Sequence, residues 1–329
     1  MTLTLALAGD TMLGRGVAER LDEDPGAPLL DPALVEVARS ADLFLVNLEC
    51  CVSGRGAPID EPGKPFFFRA PPLAAERLAE LGVAAVTLAN NHVLDFGPDA
   101  LADTLLHLDA AGIATVGAGL DRDAARAGTT LTAAGRRLRV VAVADHPASY
   151  AAGRDRPGIA FADLADGGVP EWLRDAARSA GGEHVLITAH WGPNMTPAPV
   201  PHVRAAAATL ESAGATLVTG HSAHVPHGVS GRKLFDLGGF LDDYAVDPWL
   251  RNDLSLLWLV ELDADGPRAV EGVPVRLEYA FTRPADDAEV EELTRLLTER
   301  CAALGTRVEL VDGRLVFENA PASQSMPLR

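Results

Sequence analysis

Cysteine is nearly absent from this chain, which has three cysteines among its 329 residues. Cys50 and Cys51 are adjacent, and Cys301 is distant from both. Neighbouring cysteines rarely pair with each other, so the pattern disfavours a disulfide framework and fits a reducing compartment. We interpret Cys50 and Cys51 as core residues rather than as nucleophiles.

Long apolar runs are also missing. No stretch approaches the roughly 18 to 20 consecutive apolar residues that a membrane span needs. The first eight residues are apolar, but they lack a basic region and reach Gly9-Asp10 before a signal sequence is complete. We therefore predict a cytoplasmic protein with no membrane partner.

Basic residues are scarce relative to acidic ones, and the formal net charge is −18. Lys64 and Lys233 are the two lysines. Nucleic-acid surfaces need basic patches that match the phosphate backbone. We therefore expect no nucleic-acid partner, and a chain of this length has ample core for an enzyme fold.

What the sequence does contain is five short apolar runs that end on polar residues suited to holding a metal. Runs of this length, flanked by Gly and Pro and separated by helix-like segments, are typical of buried parallel strands. Parallel strands in one sheet bring their carboxyl ends to one edge, where ligands of open α/β folds gather. The runs are Leu3–Ala8, followed by Asp10; Leu43–Val46, followed by Asn47 and Glu49; Val83–Ala89, followed by Asn90, Asn91 and His92; Val185–Ala189, followed by His190; and Ala215–Thr219, followed by His221 and His224.

The remaining patterns predict an α/β chain whose helices alternate with strands up to about residue 250. We interpret residues 1–318 as one domain, in which residues 254–318 complete a second sheet, and residues 319–329 as a disordered tail. Two loops, Gly54–Pro72 and Gly192–Pro201, are predicted to lie over the site. The predicted helices are Asp31–Ala38, Leu73–Leu81, a helix opened by Gly97-Pro98, Pro170–Ala180, Val203–Ala213 and Ala288–Leu304; further strands are Ile113–Val116, Leu138–Ala144, Leu254–Leu262 and Val273–Tyr279, with a hairpin of Arg307–Val311 and Arg314–Glu318 around Asp312-Gly313.

The polar residues after the runs suit a dinuclear metal centre. Such a centre needs about six to eight ligands and a carboxylate that bridges the two ions. Imidazole favours Zn, Mn or Fe, and carboxylate and amide oxygens extend the choice to Mg or Ca. We predict two divalent metal ions with Glu49 as the bridge. The candidate ligands are Asp10, Glu49, Asn91, His190, His221 and His224.

Two further residues are candidates for proton transfer. His92 lies beside Asn91 at a strand end and is the candidate acid/base, and Asp95, one turn further on, is placed to orient it.

Substrate contacts are less clear from the residues alone. Lys64 and Arg69 are either a solvated loop or contacts for a substrate carboxylate or phosphate, and we favour contacts in so acidic a chain. Trp191 is either packing or a substrate-stacking residue. Three further histidines, His146, His202 and His227, are interpreted as surface residues.

Seven motifs, in order between Leu5 and Asp243, resemble those of the CapA (poly-γ-glutamate capsule synthesis) family. That family resembles the calcineurin-like metallophosphoesterases, so the resemblance implies a four-layer α/β/β/α sandwich of the metallo-dependent phosphatase type with a two-metal site. The motifs are Gly9-Asp10-Thr-Met-Leu-Gly14, Asn47-Leu-Glu49, Lys64-Pro-Phe-Phe-Phe-Arg69-Ala, Leu88-Ala-Asn-Asn-His92, His190-Trp-Gly192, Gly220-His221-x-x-His224 and Phe235-Asp-Leu-Gly-Gly-Phe240.

Departures from the phosphatase pattern put ordinary phosphatase activity in doubt. Met12 stands where the pattern has a ligand His, and Glu49 replaces the bridging Asp. The closing motif is H-x-x-H. Relative to the CapA pattern itself, Ser222 and Gly239 replace the commoner His and Asn, and Asn194 lies where Glu is frequent.

Three functions fit these observations. The first is a metal-dependent hydrolase of a peptide or γ-glutamyl substrate, in which metal-activated hydroxide attacks and His92 protonates the leaving group. The second is a metal-dependent peptide Cα-epimerase in peptide natural-product biosynthesis. The third is a non-catalytic subunit of a polymer-assembly machine. The first is slightly preferred over the second, and the absent membrane segment disfavours the third.

Overall fold

A computed structural model describes residues 2–179 and 181–319 of the chain. Of the predicted disordered tail, Asn319 is the last residue of a strand, and residues 320–329 lie outside the described residues. Where it is described, the chain contains no helix with both the length and the apolar composition that a membrane crossing requires.

Helices and strands alternate along most of the chain. The helices are α1 (Arg15–Glu23), α2 (Pro32–Ser40), α3 (Leu73–Leu81), α4 (Pro98–Ala110), α5 (Arg122–Arg126), α6 (Glu171–Ala177), α7 (Pro201–Ala213) and α8 (Asp287–Ala302), with a 3-10 turn at Ala148–Tyr150. The strands are β1 (Leu3–Thr11), β2 (Leu43–Leu48), β3 (Cys51–Val52), β4 (Arg69–Ala70), β5 (Val83–Thr87), β6 (Ala114–Val116), β7 (Ala118–Gly119), β8 (Thr129–Ala133), β9 (Arg136–Ala144), β10 (Gly158–Ile159), β11 (His184–His190), β12 (Leu217–His221), β13 (Val229–Ser230), β14 (Lys233–Leu234), β15 (Gly239–Leu241), β16 (Leu254–Asp263), β17 (Gly266–Glu278), β18 (Phe281–Pro284), β19 (Thr306–Val311) and β20 (Arg314–Asn319).

Two large sheets divide the five apolar runs between them. The ten-stranded sheet has the order β19-β20-β17-β16-β1-β2-β5-β6, with β15 against β1 and β18 against β17. The six-stranded sheet has the order β13-β14-β12-β11-β9-β8. The run strands β1, β2 and β5 are parallel neighbours in the first sheet, and β11 and β12 are parallel in the second. The expectation that all five runs end at one edge of a single sheet is therefore wrong. The neighbour of β1 on the side away from β2 is β16, and β11 and β12 belong to the other sheet.

The two sheets share a core. In β9, Leu138, Val140 and Ala142 belong to the same buried cluster as the side chains of β1 and β2. The alternate residues Val141 and Val143 belong to a separate cluster with side chains of α6 and α7. Since side chains alternate between the faces of a strand, the six-stranded sheet packs on the ten-stranded sheet with one face and under helices with the other.

Local signals explain many of the element boundaries. Asp31 precedes α2 and its side chain accepts a hydrogen bond from the backbone N–H of Ala33, as an N-cap should. Helix α3 has the predicted bounds and ends before Gly82, whose φ is +91°. The predicted hairpin is confirmed, with Asp312 and Gly313 both at positive φ as a type I′ turn requires.

The C-terminal strands differ from the prediction. Strand β16 pairs antiparallel with β1, so residues 254–318 extend the sheet that begins the chain rather than complete a second one. The pairing joins residues more than two hundred positions apart, and the pattern within a strand does not specify its neighbour. Helix α6 is also shorter than predicted, ending at Ala177, and residue 180 lies outside the described residues.

Candidate metal centre

Three predicted ligands from both sheets meet in the interior. Asp10 is near the end of β1, Glu49 follows β2, and His190 ends β11. Each offers a ligand atom within 4.8 Å of the other two, and all three side chains are buried. The convergence predicted from the run ends is therefore present, although it occurs between two sheets.

Two of the three remaining predicted ligands, His224 and His221, lie beside this cluster. The Nδ1 atom of His224 is 2.8 Å from Oδ2 of Asp10 and 3.7 Å from Oε2 of Glu49, although the first contact is not aligned as a hydrogen bond. His221 pairs in register with His190 at the ends of neighbouring strands. Asn91 follows β5 and its side-chain oxygen is buried.

The test of whether these residues suit a metal is the state of their donor atoms. Buried polar atoms are normally hydrogen-bonded, and an unsatisfied one costs about 1–3 kcal/mol. Several ligand atoms here have no hydrogen-bond partner within the described parts of the chain. They are Nδ1 and Nε2 of His190, Nδ1 of His221, Nδ1 of His224 and Oδ1 of Asn91. A set of unpartnered imidazole and amide donors beside two carboxylates fits a divalent transition-metal ion.

The charges of the cluster are strongly coupled. Burial, together with the neighbouring Asp10, raises the pKa of Glu49 well above its usual range. Burial alone would raise the pKa of Asp10 as well, but His224 beside it holds that pKa below the usual range. The pKa of His224 is raised to about 10, because Glu49 and Asp10 outweigh the effect of burial. A charged His224 therefore balances Asp10 while Glu49 stays protonated, and binding of a divalent cation would displace the protons from Glu49 and His224.

The other two imidazoles are neutral. Burial lowers the pKa of His190 well below its usual value and lowers that of His221 to about 4. The neutral form of histidine is the one that binds metals. The Nε2 atom of His221 is 2.6 Å from the hydroxyl of Thr188, which leaves Nδ1 as its unpartnered nitrogen.

A hydrogen-bonded network of amides supports the carboxylate side of the cluster. The Nδ2 atom of Asn47 donates to Oδ1 of Asp10 at 2.7 Å, and its Oδ1 accepts from Thr87 at 2.8 Å and from Asn90 at 3.2 Å. The Oδ1 atom of Asn90 in turn accepts from the backbone N–H of His92 at 3.0 Å. The network links the ends of β1, β2 and β5, so Asn47 and Asn90 have structural roles.

His92 and Asp95 form the predicted pair. Nδ1 of His92 is 2.6 Å from Oδ2 of Asp95, and the imidazole stacks on Phe68 with ring centroids 4.0 Å apart. Asp95 is fully buried, and its other oxygen is 3.0 Å from Nζ of Lys64 and accepts from the hydroxyl of Tyr150 at 3.3 Å. Burial lowers the pKa of His92 to about 4, although Asp95 acts in the opposite direction.

The three predicted substrate contacts have other partners in the structure. Lys64 is nearly buried and also donates to the carbonyl oxygen of Asn91 at 2.6 Å, so it braces the site from within. Arg69 donates to the carbonyl oxygens of Arg55 and Gly56 and stacks on a phenylalanine, which fixes its own loop.

Trp191 is buried in the core beneath the helices, and its indole N–H donates to the carbonyl oxygen of Phe235 at 3.0 Å. It therefore packs rather than faces a substrate. Of the two alternatives for Trp191, packing and substrate stacking, the structure shows packing.

Several residues near the cluster were not singled out from the sequence. The hydroxyl of Tyr244 donates to Oε2 of Glu49 at 3.1 Å. Asp236 accepts from the backbone N–H groups of Ala223 and Gly238 and so holds the turn that carries His224. Tyr244 lies just past the last recognised motif, and no periodic pattern marks it.

A second histidine–aspartate pair follows β9. Nδ1 of His146 contacts Asp145, and the His146 ring is 5.3 Å from the ring of His190. Strand β9 is also an apolar run that ends on polar residues, so the signal used for the other five strands would have found this pair. The interpretation of His227 as a surface residue is wrong, since it is buried and Nε2 is 2.8 Å from the carbonyl oxygen of Thr196.

Two glycines allow the chain to pass close to the strand ends. A Cβ atom on Gly9 would lie 1.8 Å from the carbonyl oxygen of Gly238, and one on Gly220 would lie 1.9 Å from that of Phe235. Real Cβ atoms do not approach backbone this closely. The glycines next to Asp10 and His221 therefore set the spacing between the strands and the segment around 235–238.

Comparison with known proteins identifies relatives of the whole fold. The family model described as "Bacterial capsule synthesis protein PGA_cap" matches residues 4–244. A probable polyglutamine synthesis accessory protein of Mycobacterium tuberculosis is 32% identical, with 93% of each chain covered. The PGA biosynthesis protein CapA of Bacillus subtilis is 26% identical over 96% of this chain and 82% of its own length.

A solved structure of a hypothetical protein from Thermus thermophilus aligns with a TM-score of 0.48. The identity is 16%, and the alignment covers 83% of this chain and 98% of that chain. A likeness of this strength assigns no function.

Proposed function

Since the chain belongs to the bacterial capsule synthesis protein family, we propose that it is a metal-dependent hydrolase of a peptide or γ-glutamyl substrate. The observation that carries the proposal is the buried cluster of Asp10, Glu49 and His190, around which ligand atoms lack hydrogen-bond partners in the described residues. The relatives named for PGA biosynthesis and polyglutamine synthesis support the choice of substrate class.

The proposed ligands divide by sheet. Asp10, Glu49 and Asn91 would contribute oxygens from the ten-stranded sheet, and the remaining three would contribute imidazole nitrogens from the second sheet and the turn after it. When bound, two divalent cations would polarise the scissile carbonyl and lower the pKa of a water molecule. The imidazole ligands are His190, His221 and His224.

One of the chain's own residues moves the proton. With Nδ1 of His92 engaged by Asp95, Nε2 is the ring nitrogen left to face a substrate. Because the pKa of His92 is lowered to about 4, its ring is neutral, so we assign Nε2 first to accept a proton from the attacking water as the C–O bond forms and then to pass it to the leaving nitrogen as the C–N bond breaks. Lys64 holds Asp95 and the backbone of Asn91 together, so its role is positioning rather than substrate binding.

The shared core supports a four-layer arrangement. We infer that the two sheets form the inner layers of an α/β/β/α sandwich of the metallo-dependent phosphatase type, with residues 1–318 as one domain. The alternation of β9 between the two buried clusters is the supporting observation.

Metal analysis and product analysis test the hydrolase directly. Purified protein is loaded with Mn²⁺, Zn²⁺ or Fe²⁺, its metal content is measured, and a γ-glutamyl tripeptide is incubated with it and followed by mass spectrometry. We expect fragments from the wild type, no turnover but full metal content from His92→Ala, and loss of metal from His221→Ala. Equal metal content in both variants would refute this division of roles.

A second candidate is a peptide Cα-epimerase, and the His146–Asp145 pair is the observation that favours it. A 1,1-proton transfer takes the Cα proton to one base and returns a proton from another. His92 follows β5 of the ten-stranded sheet and His146 follows β9 of the six-stranded sheet, and we assign these as the two groups. In D₂O, a gain of one deuteron without cleavage indicates epimerisation, whereas fragments indicate hydrolysis.

The third alternative is a non-catalytic subunit of a polymer-assembly machine, which is compatible with the name "accessory protein" of the mycobacterial relative. Absence of both fragments and deuterium uptake with several metals, together with co-purification of a partner, would favour it.

A further inference from the structure

Arg15 has a backbone conformation that its residue type rarely adopts. Its φ is +47°, in the left-handed region, directly after Gly14 and at the first position of α1. A non-glycine residue in this region costs of order 1–3 kcal/mol and is retained where the surroundings require it. The strained backbone determines where the Arg15 side chain lies, so it also determines the contacts of that side chain.

The guanidinium of Arg15 is held on one side only. Its Nε lies 3.0 and 3.1 Å from the two carboxylate oxygens of Asp243, and Nη2 contacts the same residue. Nη1 donates no hydrogen bond to any residue that the structure describes. The side chain is 31% exposed, so part of this permanently charged residue is accessible to solvent.

Three aromatic rings surround the group. The central carbon of the guanidinium lies 5.3 Å from the ring centroid of Phe66, 5.1 Å from that of Phe68 and 5.4 Å from that of Tyr244. Phe66 is stacked on Phe68 and is 54% exposed, so much of its apolar surface is accessible beside the guanidinium.

The same rings connect Arg15 to the candidate metal centre. Phe68 stacks on His92 with ring centroids 4.0 Å apart, and the hydroxyl of Tyr244 bonds to Glu49. Arg15 is thus one aromatic ring away from the proposed proton donor and one ring away from a proposed metal ligand. A group bound at Arg15 would lie within a few bonds of the reacting centre of a peptide.

The geometry points to Arg15 as a substrate-binding residue that holds a carboxylate beside the metal centre, with Phe66 packed over the bound chain. This inference rests on the proposed function. The planar guanidinium matches a carboxylate, Asp243 keeps it oriented, and Nη1 is available to donate a hydrogen bond. The carboxylate belongs either to the C-terminus of a peptide or to the α-carboxylates along a γ-glutamyl chain.

A purely structural role for Arg15 is the competing explanation, because Asp243 also accepts from the backbone N–H of Gly16 and so joins α1 to the segment after β15. The backbone contact does not need the arginine side chain. Arg20 offers a matched control, since it lies on the same helix, stacks on Phe281 and bonds to the carbonyl oxygen of Ala280.

Calorimetric binding of four synthetic peptides to the full chain tests the assignment without requiring turnover. Two are trialanine and trialanine amide; two are a γ-linked triglutamate and the same peptide with all its carboxylates amidated. We expect the wild type to prefer at least one acid over its amide by about 10- to 100-fold, the range for hydrogen bonds to a charged group. The pair that shows the preference identifies which carboxylate is bound.

The variants decide the role of Arg15. Arg15→Gln should remove the preference for the acid, Arg15→Lys should retain part of it, and Arg20→Gln should leave it unchanged. A preference that survives Arg15→Gln, or no preference in the wild type, overturns the assignment. Because binding is measured directly, a failure to hydrolyse these peptides would count against the proposed function and not against this subsite.

Chemical protection covers the case in which Arg15→Gln fails to fold. Phenylglyoxal modifies exposed arginines of the wild type, and mass spectrometry locates the adducts. The preferred acid peptide should reduce modification of Arg15 several-fold while its amide does not, and modification of Arg20 should be unaffected. Equal modification with and without the acid peptide overturns the assignment.

Discussion

The two sides of the candidate metal centre are built differently. On the side of the ten-stranded sheet, Asp10 is fixed through Asn47 by hydrogen bonds that reach Thr87 and Asn90. On the side of the six-stranded sheet, His190 is buried with neither ring nitrogen bonded to any described residue. The carboxylate side is organised by the protein itself, whereas on the imidazole side both nitrogens of His190 and Nδ1 of His221 have no partner among the described residues.

This difference teaches which part of the site depends on a cation. A satisfied network keeps its geometry when the site is empty, so removing it lowers the free energy of unfolding. An unsatisfied nitrogen adds no stability to the empty protein, so removing it lowers the metal affinity instead. A variant on the carboxylate side should therefore lose stability, and a variant on the imidazole side should lose metal.

The largest effect is expected from His190→Leu. Leucine fills a similar volume and removes two unpartnered nitrogens. After a chelator has removed metal from both proteins, the free energy of urea unfolding of the variant should therefore be at least as large as that of the wild type. Metal content should fall, and turnover should fall by about a thousandfold or more, because metals supply several kcal/mol of transition-state stabilisation.

His184→Leu is the matched control for that variant. His184 begins the strand that His190 ends, and its Nε2 is likewise buried and unpartnered within the described chain. Its metal content and turnover should match those of the wild type. Full metal content in His190→Leu would contradict the division between the two sides.

The next effect is a loss of stability from Asn47→Leu. The substitution leaves the hydrogen-bonding groups of Asp10, Thr87 and Asn90 without their partner in the core, which should cost about 3 kcal/mol. Urea unfolding of the chelated protein measures it. Asn194→Leu, at an exposed loop position, should stay within about 1 kcal/mol of the wild type. An unchanged midpoint for Asn47→Leu would show that the network is not a structural support.

The pH dependence of the free energy of unfolding should distinguish His227, a structural histidine, from the metal ligands. Burial lowers the pKa of His227 to about 4, below its unfolded value of about 6.5. Between these pH values His227 is protonated in the unfolded chain but neutral in the folded chain. The free energy of unfolding therefore falls as the pH is lowered from 6.5 to 4. The contribution of His227 reaches about 3 kcal/mol at pH 4.

Urea unfolding of the wild type and of His227→Gln at pH 7, 6, 5 and 4 isolates this contribution as the difference between the two slopes. The variant should keep its metal. If the free energy of unfolding changed with pH equally in both proteins, the folded and unfolded chains would bind a proton at His227 equally well, which contradicts the lowered pKa. Metal loss in the variant would make His227 part of the site.

The smallest effect is expected from Thr188→Val. If Nδ1 of His221 binds metal, Nε2 carries the proton and donates to the hydroxyl of Thr188, which orients the ring. Loss of such a supporting bond typically lowers metal affinity by about 10- to 100-fold. Titration with Zn²⁺ against a competing chelator measures the change, and Thr188→Ser should restore it. Equal affinities in all three proteins would remove Thr188 from the site.

The sequence predicted the strands and their ends better than their assembly. The run before Asp10 is continuous because β1 is buried on both faces, and the same holds for the run before His190. Which sheet a strand joins depends on contacts between distant residues, such as the pairing of β16 with β1. No local pattern encodes that pairing.

The roles of single charged and aromatic residues were harder to predict for a related reason. Lys64 was expected to meet a substrate, but a fully buried Asp95 binds it instead. Burial of a cation is determined by its partner, and that partner lies on a different segment of the chain. The prediction places His146 at the surface, but it follows β9, an apolar run that ends on polar residues, and its ring lies 5.3 Å from that of His190.

The contacts of Gly9 and Gly220 have an evolutionary consequence. A donor atom in this site can be exchanged for another of similar reach, as carboxylate for carboxylate or imidazole for amide, and the metal preference changes with it. A methyl group on either glycine would instead collide with backbone less than 2 Å away and force apart the segments that carry the donors. We therefore expect descendants of this chain to diversify in their ligands and cofactors while these two positions stay without side chains.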